Sequence, residues 1–189
     1  MINFQKCTDK AYEILLSQKS GNIPVNISDL TLDYPIIFES LQQYSSITKI
    51  PISALTANQK ADNGFLYKHG DFIFVLHNEK HCKSRCNFTN GHELGHIVLG
   101  HKKDNDEEEI EANFFSAQTI MPTALIRYLH EQNIHINIDT LKKFFGVSEP
   151  AANKKIITLK RHFSHHKWDQ DLIRKYQDSL DRYLYRDSI

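Results

Sequence analysis

The chain has 189 residues, no formal net charge and 40% hydrophobic residues, which fits one soluble globular domain with a small appendage. This charge balance disfavours a strongly basic nucleic-acid binder and an acidic disordered tail. The apolar runs are much shorter than the roughly 20 residues that span a bilayer, and the N-terminus lacks the apolar stretch of a signal peptide. Three cysteines do not form a disulfide framework. We therefore expect a cytoplasmic protein with no membrane partner.

The zero net charge is the sum of a net acidic N-terminal part of the chain and a net basic C-terminal part. Residues 1–140 carry 12 basic and 17 acidic side chains, whereas residues 141–189 carry 11 and 6. We therefore expect the two parts to face different partners.

The predicted elements begin with helices over 10–16 and from Asn26 or Ser28 through Leu32, followed by a short strand at 36–38. Two β-rich runs around a turn at Gly70 predict a hairpin over 63–78. The second strand of this hairpin is either an ordinary core strand or an edge strand with which a peptide substrate pairs as an additional strand. From Phe88 onward the pattern is helical, and it predicts the following helices: one capped by Thr89 or Asn90 that ends at Leu99, then 107–119, 124–130, 140–145, 149–161 and 169–185.

This order of elements predicts an α+β fold with a small antiparallel sheet and a helical lobe. We divide the chain into a mixed domain over residues 1–125, a helix-turn-helix-like module over 126–165 and an amphipathic C-terminal helix over 166–189.

A His-Glu-x-x-His motif lies in the helix that ends at Leu99. Four residues separate His92 from His96, so both imidazoles lie on one helix face and can bind one metal ion. Glu93 lies beside that face, within reach of a metal-activated water. Imidazole and carboxylate ligands favour Zn²⁺, while Mn²⁺ or Fe²⁺ remain alternatives. The motif predicts Glu93 as the general base and then general acid of a hydrolytic reaction.

The third metal ligand is predicted to come from the acidic helix that follows. Glu111 is the last acid before an apolar pair, which places it nearest the core, and we expect it to be that ligand. Glu107 and Glu108 share its face, and Glu109 is expected to point elsewhere. His101 follows the helix-ending Gly100 and is expected to point away from the ligand face.

The segments that surround the motif resemble the ImmA/IrrE family of metallopeptidases. The resemblance spans roughly residues 8–160, and its specific part consists of Phe88-Thr89, His92–His101, Glu109–Phe115 and Ile120-Met121-Pro122. It implies a zincin-like metallopeptidase domain, with His92, His96 and Glu111 as metal ligands and Glu93 as catalytic base. Three positions depart from the family pattern, namely Gly91, Ser116 and Thr119.

Members of this family typically cleave or control a transcriptional repressor, often one encoded on a mobile element or phage. The resemblance therefore implies a zinc endopeptidase whose substrate is a regulatory protein such as a helix-turn-helix repressor. One alternative is a non-proteolytic metal-binding regulator that acts by direct contact with a repressor or toxin.

A second alternative is a DNA-binding regulator that uses residues 141–161, whose second helix carries Lys154, Lys155, Lys160 and Arg161. Because these basic residues cluster late in the helix, we favour a partner-docking module over direct DNA binding. The donor that stabilises the oxyanion of a transition state stays open between Tyr67, His77 and His101.

Overall fold

The computed structural model describes residues 1–57, 63–102, 105–159 and 165–185. In chain order its elements are α1 (Phe4–Ser17), a short 3₁₀ turn (Ile27–Asp29), β1 (Ile36–Ser40), α2 (Leu41–Thr48), α3 (Ile52–Leu55), β2 (Gly64–His69), β3 (Phe72–His77), α4 (Lys83–Leu99), α5 (Asp106–Ile120), α6 (Thr123–Glu131), α7 (Ile138–Phe145), α8 (Glu149–Leu159), α9 (Asp169–Lys175) and α10 (Gln177–Leu184). The predicted α+β class is confirmed. The helices α2 and α3 were not predicted.

The sheet has three strands in the order β1-β3-β2. The predicted hairpin is confirmed, because β2 and β3 pair antiparallel with Gly64 opposite His77. Strand β1 pairs with β3 in parallel, with Ile36 opposite Ile73, so the sheet is mixed rather than wholly antiparallel. Because β3 lies between two partners, it is not an edge strand, and β1 and β2 are the outer strands of the sheet that the described residues form.

Helix α4 contacts β2 and β3 of the sheet and also packs against α1 and α5. It begins at Lys83, more than one turn before the predicted start, with Cys82 as its N-cap residue. The axes of α4 and α5 approach closely at Gly91, where a Cβ would lie 2.5 Å from Ser116 Oγ. This close approach brings side chains of α5 beside the histidines of α4.

One large apolar cluster joins the helices. It includes fully buried side chains of α1, α4, α5, α6 and α9, such as Tyr12, Leu94, Phe115, Leu125 and Leu172. A second, smaller cluster fills the space between α2, α3 and the sheet. Burial of these apolar surfaces is the main force that fixes α4 and α5 against each other. The predicted boundaries at residues 125 and 165 stay predictions.

The C-terminal part contains the predicted pair α7 and α8, joined by a turn at Gly146. The predicted last helix is present as two helices, α9 and α10, which meet at Tyr176. Lys160 and Arg161 lie outside the described residues. Within the described ranges, no helix combines the length and apolar character that crossing a membrane requires.

Candidate metal centre

His92 and His96 point toward the same space from adjacent turns of α4. Their Nε2 atoms are 3.1 Å apart, and the two rings are nearly perpendicular, with an interplanar angle of 74°. Both side chains retain an exposed fraction of 17%, so the site opens to solvent. The helical spacing of the motif therefore brings the two imidazoles together as predicted.

The acidic side chain that joins them is Glu109 of α5. Its Oε2 lies 3.4 Å from His92 Nε2, and its Oε1 lies 3.2 Å from His96 Nε2. Zinc ligands at about 2.0–2.1 Å in a tetrahedral arrangement lie about 3.3–3.4 Å from one another. The three side chains thus fit a single metal ion, and their ligand atoms all lie within 4.8 Å of one another.

The structure places Glu111, the predicted third ligand, at a different location. Its Oε2 is 3.1 Å from His101 Nε2, and its Oε1 accepts a 2.5 Å hydrogen bond from the backbone N–H of Asn3. Two residues along an α-helix correspond to a rotation of about 200°, so Glu109 and Glu111 cannot share a face. The expectation that Glu109 points elsewhere is corrected: Glu109 faces α4, and Glu111 faces α1. Glu107, which contacts the Met1 amino group, also lies outside the cluster.

Burial shifts the pKa values of the titratable groups in the site. It lowers the pKa of both His92 and His96, which favours the neutral imidazole that a metal ion requires. Burial and, secondly, the nearby charge of Glu109 raise the pKa of Glu93 to about 8. A cation held by the cluster would favour the ionised carboxylate of Glu93, because opposite charges attract strongly in a partly buried site.

The structure also shows the surroundings of the three residues considered as donors to the oxyanion of a transition state. His101 contacts His96 through the two Nδ1 atoms, 3.1 Å apart, on the side of the His96 ring opposite the Nε2 that faces Glu109. Tyr67 packs against Tyr44, with ring centroids 5.5 Å apart. His77 is half-buried at the end of β3. The choice of an oxyanion donor among these three stays open.

A His-Glu-x-x-His helix beside a helix that supplies an acidic side chain is the arrangement typical of zinc metallopeptidases. The model of a peptidase family, described as the IrrE N-terminal-like domain, matches residues 46–156, which is more than half of the chain. The chain belongs to this family, as the resemblance to ImmA/IrrE metallopeptidases predicted. No curated protein matches the chain.

The surface of α8 offers little positive charge in its described part. Lys155 is fully buried, where its Nζ donates to Gln118 Oε1 at 2.9 Å and to Thr123 Oγ1 at 3.1 Å. Lys154 is exposed. Of the basic residues predicted for a DNA contact, Lys155 therefore serves to anchor α8 to α5 and α6.

Proposed function

We propose that the chain is a metal-dependent endopeptidase in which His92, His96 and Glu109 hold Zn²⁺ and Glu93 is the general base. The observation that carries this proposal is the cluster of three metal-ligating side chains, with Glu93 next to His92 in α4. Imidazole and carboxylate donors suit Zn²⁺, while Mn²⁺ and Fe²⁺ are the alternatives that a metal analysis would reveal.

When bound, a divalent cation at this site would lower the pKa of water and polarise the scissile carbonyl. Glu93 accepts the proton of the attacking water and then donates it to the leaving amine. Its burial supports this exchange, because burial opposes the ionised form of Glu93 while a bound cation would favour it. His92 and His96 remain neutral, and the cluster is open to solvent, with exposed fractions of 17% for both histidines and 45% for Glu109.

The proposed substrate is a regulatory protein, with a helix-turn-helix repressor as the first candidate. This choice is supported by membership of the IrrE N-terminal-like family and by the resemblance to ImmA/IrrE metallopeptidases, which typically cleave or control repressors. The proposed location is the cytoplasm, where such repressors act.

The test is to incubate the zinc-loaded protein with each helix-turn-helix protein encoded beside its gene and to detect fragments by mass spectrometry. Glu93→Gln should retain one zinc ion per chain and lose cleavage, because the amide cannot accept a proton. Glu108→Gln, which alters a neighbouring acid outside the metal cluster, is the matched control and should cleave normally. If Glu93→Gln still relieves repression in a reporter strain, the protein acts by contact and proteolysis is not its mechanism.

A further inference from the structure

The turn after α4 places His101 against a proposed metal ligand. Gly100 adopts the left-handed conformation, with φ of 74°, which a residue with a side chain rarely adopts. The backbone N–H of His101 then donates to the carbonyl of His96 at 3.0 Å. As a result the ring of His101 folds back over the end of the helix, with its centroid 5.0 Å from that of His96.

The hydrogen bonds between these rings have one consistent direction. If Nε2 of His96 faces a metal ion, its ring proton is on Nδ1, which then donates to Nδ1 of His101. An accepting Nδ1 leaves the proton of His101 on Nε2, and that N–H donates to Glu111 Oε2 at 3.1 Å. The other oxygen of Glu111 accepts from the backbone N–H of Asn3.

This chain of contacts is shielded and anchored. The exposed fraction of the side chain is 6% for His101 and 13% for Glu111. Asn3 is the N-cap residue of α1, and its side chain accepts a hydrogen bond from the backbone N–H of Lys6, so the donor that holds Glu111 is itself fixed. The Nζ of Lys6 donates to the Leu99 carbonyl at 2.7 Å, which ties α1 to the end of α4.

We infer that His101 and Glu111 are positioning residues that hold the His96 ring with its proton on Nδ1 and its Nε2 directed to the metal. The inference rests on the proposed metal site. It assigns to Glu111 a role through His96 rather than direct coordination. Partners of this kind orient a metal-binding imidazole and raise its basicity, and their loss typically lowers metal affinity by about 10–100-fold.

The primary measurement is Zn²⁺ affinity by competition with a chromophoric chelator. His101→Ala and Glu111→Gln should each weaken binding by about 10–100-fold. Glu107→Gln, an exposed acid on the same helix, is the control and should bind as the wild type does. His101→Gln keeps an acceptor for His96 and a donor for Glu111, so it should bind more tightly than His101→Ala. The double variant His101→Ala/Glu111→Gln should bind no more weakly than His101→Ala, because Glu111 acts through His101.

A second readout separates positioning from a loss of fold. In long-range ¹H–¹⁵N spectra of the zinc-loaded protein, the Nδ1 proton of His96 should exchange slowly with solvent in the wild type, where His101 accepts it, and faster in His101→Ala. Equal exchange of this proton in both proteins would overturn the inference, as would equal zinc affinity in both. The reference variants are His92→Ala and Glu109→Gln. Should these lose zinc while His101→Ala and Glu111→Gln bind normally, only the present inference fails. Should the wild type bind no metal, the proposed function fails first.

Discussion

Glu109 of α5 and His96 of α4 meet across the interface between the two helices, with 3.2 Å between the carboxylate Oε1 and the imidazole Nε2. Two residues further along α5, Glu111 contacts His101 instead. The two acids therefore have different predicted effects on metal content. We expect Glu109→Gln to abolish stoichiometric zinc, because it removes a proposed ligand. Glu111→Gln should still purify with zinc and release it to a chelator more readily.

Elemental analysis of the purified variants after dialysis measures this difference. The wild type and Glu107→Gln serve as references, since Glu107 is exposed and contacts only the chain's amino terminus among the described residues. Complete loss of zinc from Glu111→Gln, together with full retention in Glu109→Gln, would reverse the two assignments.

The contact between Gly91 and Ser116 predicts a compensating pair of substitutions. A Cβ at position 91 would lie 2.5 Å from Ser116 Oγ, which donates to the Phe88 carbonyl at 2.9 Å. Gly91→Ala alone should lower the free energy of unfolding by about 1–3 kcal/mol, because overpacking forces the helices apart. In a Ser116→Ala background the clash with the hydroxyl is absent, and the added alanine favours the helix.

Urea unfolding of the two single variants and the double variant gives the coupling between these positions. We expect the double variant to be more stable than Gly91→Ala. Additive free energies would mean that the two side chains do not share the space between α4 and α5.

Buried Lys155 predicts an unusual dependence of stability on pH. Burial lowers its pKa from 10.5 to about 7, so the unfolded chain binds more protons than the folded chain between these two values. The free energy of unfolding should therefore rise with pH across this window, with a contribution of up to about 1.4 kcal/mol per pH unit from this lysine. Lys155→Met should remove that contribution and stabilise the protein most at the lower end of the window.

Chemical denaturation at intervals from pH 7 to 10 gives the slope for each protein. Lys154→Met is the matched control, because Lys154 is exposed on the same helix. Parallel profiles for Lys155→Met and the wild type would show that Lys155 stays protonated in the folded chain.

The ion pair of Arg127 and Asp169 predicts a large loss of stability on the C-terminal side. Their side chains lie 2.5 Å apart, with exposed fractions of 7% and 6%. Asp169→Asn leaves the buried guanidinium without its carboxylate and should cost about 3–5 kcal/mol. The corresponding fall in melting temperature is roughly 10 °C for a chain of this length.

Asp171→Asn is the control for this experiment, because Asp171 is half-exposed and pairs only with exposed Arg174 among the described residues. Calorimetry should show little change for that variant. Equal melting temperatures for Asp169→Asn and Asp171→Asn would contradict a stabilising role for the buried pair.

The sequence predicted those parts of the fold and site that depend only on the spacing of residues within one helix or one hairpin. The four-residue separation of His92 and His96 requires only a helix, and the two β-rich runs on either side of the turn at Gly70 require only a hairpin. The helix α2 was not predicted, because its polar sequence has a weak apolar pattern and is fixed by the Ser40 cap and by packing of Tyr44 against the sheet.

The position of apolar residues predicted Glu111 as the third metal ligand, whereas the structure brings Glu109 to the two histidines. Glu111 precedes an apolar pair, but it lies on the face of α5 that meets α1. Because α1 is also part of the apolar core, closeness to the core does not identify the face that meets α4. The rotation of α5 relative to α4 depends on the close contact at Gly91 and Ser116, a tertiary feature. The spacing of Glu109 and Asn113 was a usable signal, because residues four apart lie on one helix face. The side chain of Asn113 contacts His92, so this face of α5 is the one that meets the histidines.

Anomalous diffraction at the zinc absorption edge, from crystals of the zinc-loaded protein, locates the metal ion directly. We predict one strong anomalous peak per chain that lies between Nε2 of His92, Nε2 of His96 and the carboxylate of Glu109. A peak between His101 and Glu111, or no peak within the reach of His92 and His96, would contradict the proposed metal centre.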